Sequence, residues 1–199
     1  MKPPGVLCLE GDWEESLESR LSIESALRLL ERAELIRLVH RDIGTYAEFE
    51  YYVNRWLDGE LKGYDFAYFG FHGTANTLYV GGRDVSLAEL VELVDGRCAG
   101  KTLSFASCRG LAAADETLMA FCKQTRARAV AGYTRNIEWV EAAAFELLMV
   151  SDLTYSANMK SAYYRLRKKH PELTKKLGFR MAHSQWASER SIAAAALSE

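Results

Sequence analysis

Two stretches constrain this chain more than any other: residues 65–73, DFAYFGFHG, and residues 101–110, KTLSFASCRG. Each is a short, small-residue or apolar run of the kind that forms a buried strand. The first ends in His72 followed by Gly73, the second in Cys108 followed by Arg109 and Gly110. The residues between them hold one hairpin and one helix, enough for a right-handed crossover between neighbouring parallel strands. Such neighbours deliver their C-terminal residues to one sheet edge, where open α/β folds bind ligands. A lone cysteine at a strand end is ordinarily a small buried hydrophobe; the matching histidine upstream changes that reading. An imidazole beside a thiol is the general base, or cationic partner, that a cysteine nucleophile needs. Glycine after the histidine lets a backbone N–H approach an oxyanion, and the N–H of Cys108 is the second expected donor. The residues after Gly110 read as helix-forming, so a helix dipole is expected to favour the thiolate.

The rest of the chain alternates strand and helix. Residues 5–10 (GVLCLE) read as a strand, residues 13–32 as a charged helix with Leu17, Leu21, Leu27 and Leu30 near helical spacing, and residues 35–39 as a strand near an edge. Thr45 and Glu48 form a capping box ahead of a helix reaching about Leu61, and Ser86 and Glu89 form another. Residues 77–85 predict a hairpin turning at Gly81-Gly82. Further helices are expected over about 114–125, 137–155 and 157–169, with a strand at 129–133. Pro171 is expected to break the last helix, and residues 178–183 read as a sixth, edge strand. Residues 191–199, rich in alanine, read as a short helix or a frayed end. The expectation is an α/β sandwich with a mostly parallel sheet of five or six strands and helices on both faces. One domain is expected over residues 1–199, with a core at about 5–155 and a basic helical C-terminal extension at about 156–199.

Charge and cysteine usage exclude several classes. A net charge of −2 over 199 residues gives no overall pull toward nucleic acid or membrane. The four cysteines, Cys8, Cys98, Cys108 and Cys122, form no C-x-x-C pair, so they read as reduced thiols of a cytoplasmic protein. No stretch approaches the roughly 20 apolar residues of a membrane span. There is no G-x-S-x-G, H-E-x-x-H, Walker or G-x-G-x-x-G pattern. His40, His170 and His183 lack cysteine or acid partners at metal spacing and read as surface or edge residues, so no metal and no cofactor is expected. Eight Lys/Arg between Lys160 and Arg180, against the one acid Glu172, read as a solvated helix face or a site for an anionic partner.

YFGFHG followed by TLSFASCRG resembles the His-Gly and Cys strands of the caspase-like cysteine peptidases. Within that clan the chain is most similar to the prokaryotic CHAT family, through LSFASC and through RARAVAGYTRNIEWVEAAAFELLM, a strand, a tryptophan and an Ala-rich helix. The resemblance covers roughly residues 5–151. It implies a caspase-like three-layer sandwich and a cysteine endopeptidase with His72 as base, Cys108 as nucleophile, and Gly73 with the Cys108 backbone as oxyanion hole. It also implies a protein or peptide substrate and activation by a protein or small ligand, in a prokaryotic defence or cell-death setting.

The departures from the family pattern bear on specificity. The caspase signature Q-A-C-[RQG]-G is only partly kept, because Ala106 stands where caspases carry glutamine. Glu10, Asp12 and Trp13 follow the first strand, near where the clan builds its P1 pocket, and carboxylates there favour Arg or Lys. Asp12 also reads as a plain turn residue, while Arg109 and Arg135 argue for the opposite preference. Trp139 completes the expected substrate-binding set of Glu10, Asp12, Arg109 and Trp139. The competing class is a caspase-fold binding or signalling module, without turnover, that uses its basic C-terminal surface.

Overall fold

The first strand, β1 (Gly5–Glu10), is buried at every position, as a strand can be only inside a sheet covered on both faces. After it come α1 (Glu24–Arg32), β2 (Arg37–Asp42), α2 (Tyr46–Leu57) and β3 (Tyr64–Gly70). A small antiparallel sheet of β4 (Gly73–Thr74), β5 (Thr77–Val80) and β6 (Arg83–Ser86) leads into α3 (Leu87–Val94). Then follow β7 (Thr102–Ala106), α4 (Asp115–Thr125), β8 (Ala129–Tyr133), α5 (Trp139–Leu153), α6 (Met159–Lys169), α7 (Pro171–Leu177), β9 (Phe179–His183) and β10 (Trp186–Ala187). The structure, a computed structural model, describes residues 2–189; the Ala-rich stretch at 191–199 lies outside them.

The main sheet has seven strands in the order β10-β9-β8-β7-β3-β1-β2. The five from β2 to β8 run parallel, and β9 and β10 add antiparallel pairs. Alternation along each strand divides the core in two. Val6, Cys8, Tyr68 and Tyr133 face α1, α5, α6 and α7, with Leu27, Phe145, Tyr163 and Leu177 against them. Leu7, Leu9, Phe69 and Phe105 face α2, α3 and α4, with Phe49, Leu90 and Phe121 against them. The result is a three-layer α/β sandwich.

Both expected capping boxes form, Thr45 with Glu48 and Ser86 with Glu89. The hairpin turns at Gly81 and Gly82, both with positive φ, the requirement of a tight type I′ connection. Other expectations need correction. The sheet has seven strands rather than five or six, and β9 is covered by β10 instead of forming the edge. Residues 156–189 are no extension: β9 pairs with β8, and α6 and α7 pack on the core. Pro171 does not simply end a helix but opens α7 at its first position, where its missing N–H costs nothing. The helix expected over 13–32 forms only at Glu24–Arg32, and Leu17 is fully exposed. β2 runs to Asp42 rather than stopping at Val39.

Candidate active site

β3 and β7 are parallel neighbours, with Gly70 opposite Ala106. His72 and Cys108 each lie two residues beyond that pair, so both emerge from the same edge of the sheet. The residues around them are core anchors. Phe71 is buried, with its ring edge-to-face on Phe49 at 5.6 Å, and Leu111 is buried with its N–H on the Tyr133 carbonyl at 2.9 Å. Gly73 sits directly against Ser107: a Cβ there would lie 2.5 Å from the Thr77 carbonyl and 3.0 Å from the Ser107 Cβ. On the other side, a Cβ on Gly110 would lie 2.3 Å from the Ser107 Oγ. The two glycines thus let the His72 and Cys108 loops close on Ser107, whose buried hydroxyl has no partner.

His72 is exposed, and its backbone carbonyl accepts from the Tyr79 N–H at 2.8 Å. Its Nε2 donates to the Trp13 carbonyl at 3.0 Å, with the Trp13 ring edge-on to the imidazole. A carbonyl only accepts, so Nε2 holds the proton and, in the neutral ring, Nδ1 is the bare nitrogen. Cys108 is half-buried, and the Ile137 N–H lies 3.5 Å from its Sγ. The helix expected over about 114–125 forms as α4, but it begins at Asp115, seven residues beyond Cys108 in the chain. Residues 107–114 instead form a tight loop in which Arg109 has φ +55°, its N–H on the Arg135 carbonyl. What holds the loop is Arg180, fully buried, which donates to the carbonyls of Leu111 and Ala113 and pairs with Asp115. Arg180 therefore does not belong to a solvated basic face.

The strand order reverses between β1 and β3, and that crevice holds a cavity of about 650 Å³. Asp12, Trp13, Arg20, Asp42, His72 and Tyr79 are among its walls. Glu10 closes it from below, 2% exposed, and its carboxylate is engaged on all sides. Oε1 accepts from the Trp13 Nε1 and the Ile23 N–H, and Oε2 accepts from the Ser22 Oγ and meets His40 Nε2 at 3.0 Å. Burial opposes charge on Glu10, but the bonds from His40, Trp13, Ile23 and Ser22 outweigh it and hold the carboxyl below the usual carboxylate range. Burial also opposes charge on His40, yet Glu10, helped by Glu24 and Asp42, raises it above the ordinary imidazole value.

His40 is thus a correction: it is buried and has both a cysteine and an acid beside it. Its partners come from the next strand, in register through Cys8 opposite His40, a proximity that spacing along the chain does not display. Of the expected substrate-binding residues, Glu10 and Asp12 gather around the His72 cavity. Arg109 is exposed beside Cys108, and Trp139 begins α5, half-buried against the core. Neither Arg109, Trp139 nor Cys108 lines the cavity. Sequence reasoning missed Asp42, Tyr79 and the Ile137 N–H, delivered by the end of β2, by β5 and by the loop before α5.

The parallel sheet with helices on both faces, and the His and Cys exits side by side, define a protein of caspase-like fold. The crystal structure of caspase-1 from Spodoptera frugiperda matches it with a TM-score of 0.53 at 12% identity, over 84% of this chain and 76% of that one. At that identity the likeness concerns the fold. Residues 4–183 match the model of a family described as "Family of unknown function (DUF6642)", and the chain belongs to that family. No curated protein matches it. Among the described residues no helix is long and apolar enough to cross a membrane.

Proposed function

We propose that this protein is a cysteine endopeptidase of the caspase/CHAT type. The observation that carries the reading is the β3–β7 register, which brings His72 and Cys108 to one edge with Gly73 seated on Ser107. Cys108 Sγ attacks the scissile carbonyl carbon while its proton passes to Nδ1 of His72, the nitrogen left bare by the bond to Trp13. The oxyanion is met by the backbone N–H groups of Gly73 and Cys108. As the C–N bond breaks, His72 returns the proton to the leaving amine, and water then hydrolyses the thioester. The cavity walls carry Asp12, Glu14, Glu15 and Asp42 against one arginine, Arg20, and no lysine, which favours Arg or Lys at P1. Arg167, Lys168 and Lys169, exposed at the end of α6, are the proposed contact for an activating partner in a prokaryotic defence or cell-death system.

The test is labelling with an electrophilic peptide probe bearing Arg or Asp at P1, followed by mass mapping of the modified cysteine. Modification of Cys108 by the Arg probe is expected. Cys108→Ala and His72→Ala each lower peptide turnover by about 10⁴-fold or more, and the double variant falls hardly further because the pair acts as a unit. Labelling of Cys8, Cys98 or Cys122 instead, or turnover surviving Cys108→Ala, refutes the assignment. Labelling with no turnover, even with candidate partners present, favours the signalling module that those exposed α6 cations would serve.

A further inference from the structure

On the opposite side of Glu10 from Trp13 lies a second cluster of reactive side chains, of which Cys8 and His40 take no part in the proposed peptidase chemistry. Cys8 and Glu10 are two residues apart on β1 and therefore point to the same face. His40, opposite Cys8 on β2, points there too. One donor atom from each, a sulfur, a nitrogen and an oxygen, lies within 4.8 Å of the other two. We propose that Cys8, Glu10 and His40 form a site for a zinc-type divalent cation.

The geometry is near what such an ion needs. Tetrahedral zinc bonds of about 2.0–2.3 Å set ligand-to-ligand separations of about 3.3–3.8 Å, so donors now within 4.8 Å need to close by about 1.5 Å at most. His40 Nε2 and Glu10 Oε2, now 3.0 Å apart, need to open slightly. The outer contacts have the pattern that orients metal ligands. His40 Nδ1 has the Glu24 carboxylate 3.8 Å away, within ion-pair reach though longer than a hydrogen bond. Glu10 keeps Oε1 on Trp13 and Ile23 while Oε2 is the oxygen turned to His40. Charge points the same way: Glu10, Glu24 and Asp42 all lie within 3.8 Å of one imidazole. Arg28 offsets Glu24 from outside, which leaves Glu10 and Asp42 with His40 as their shared partner. A thiolate with an imidazole and a carboxylate selects zinc-type ions over magnesium or calcium. Ions reach the cluster through the cavity, whose wall includes Glu10, Ser22 and Asp42. Binding releases the Cys8 thiol proton and the proton between His40 and Glu10 to solvent.

The inference stands apart from the peptidase reading, and its test does not use turnover. The full chain carrying Cys108→Ser, so that the accessible thiol cannot compete, is stripped with a chelator and titrated with Co²⁺ and then Zn²⁺. One Co²⁺ per chain is expected, with a near-ultraviolet sulfur-to-cobalt band that Zn²⁺ abolishes. Zn²⁺ is also expected to raise the melting temperature of the same protein. Cys8→Ser removes the band, and His40→Gln weakens binding by about 100-fold, at least as much as losing an outer contact costs. Absence of both the band and the thermal shift in the parent protein overturns the proposal whatever the variants do. A band that survives in Cys8→Ser also overturns it, by assigning the metal to Cys98 or Cys122.

Discussion

Glu10 and Glu146 are buried to the same degree, 2% exposed, on the same side of the sheet, and they behave oppositely. Glu10 is held below the usual carboxylate range, whereas burial pushes Glu146 up to about 7. Desolvation acts on both, so the difference lies in what surrounds them. Glu10 has an imidazole, an indole N–H, a backbone N–H and a hydroxyl. Glu146 has two tyrosine hydroxyls, Tyr68 at 2.6 Å and Tyr133 at 3.1 Å, and no cation, while Glu10 adds repulsion at longer range. The consequence is mechanical. The charged Glu10 ties residues 13–23 to the sheet, and Trp13 in turn orients His72. Glu146 fastens α5 to β3 and β8 under the sheet and reaches no loop.

The sharpest way to break this comparison is to truncate Glu10. Glu10→Ala leaves His40, the Trp13 indole and the Ile23 N–H without their acceptor, and removing one partner of a buried pair costs roughly 3–5 kcal/mol. Urea unfolding at pH 7 is expected to show that loss. The variant should also lose turnover through His72. A loss below about 1 kcal/mol would put Glu10 in the same class as Glu146.

Glu146 is expected to show itself through pH. Its folded value of about 7 lies above its ordinary 4.5, so between those limits the folded state holds the extra proton. Its contribution is therefore intact at low pH, falls as pH rises through that window, and stays low above it. The full shift corresponds to about 3 kcal/mol. The groups facing Glu146 are Tyr68 and Tyr133, with Cys8 and Glu10 farther off. Glu146→Gln, which still accepts one hydroxyl, is expected to be more stable than the parent at pH 8 by about 2 kcal/mol. The gap should narrow toward pH 5. A difference that does not change with pH would mean that this carboxyl is ionised throughout.

The same contrast explains what could be read from the sequence. Local devices were legible: the alternation that ends at His72 and at Cys108, the capping boxes at Thr45 and Ser86, and the Gly81-Gly82 turn depend on residues a few positions apart. The misread parts depend on contacts across the fold. Leu17 and Leu21 sit near helical spacing, but Glu10 captures Ser22 and Ile23 and holds the chain before them out of a helix. His40 looked isolated because its partners are on β1. Arg180 looked like one more surface cation, yet it is the buried clamp of the Cys108 loop. In each case the deciding contact joins residues far apart in the chain, and no run of neighbouring residues displays it.

The smallest test separates the two jobs of Trp13. Its indole N–H goes to Glu10, while its carbonyl, independent of side-chain identity, goes to His72. Trp13→Phe deletes the first bond and keeps an aromatic edge against the imidazole. Glu10 Oε1 keeps the Ile23 N–H, so the expected loss is that of one hydrogen bond, about 1 kcal/mol. If Glu10 works by tethering this loop, kcat should fall a few-fold with KM little changed, because the loop still carries the carbonyl but holds it less firmly. Trp13→Ala removes the aromatic edge as well and should fall further on both measures. Equal turnover in Trp13→Phe and the parent would show that the backbone bond to His72 stands without the tether, and would reduce Glu10 to a purely structural anion.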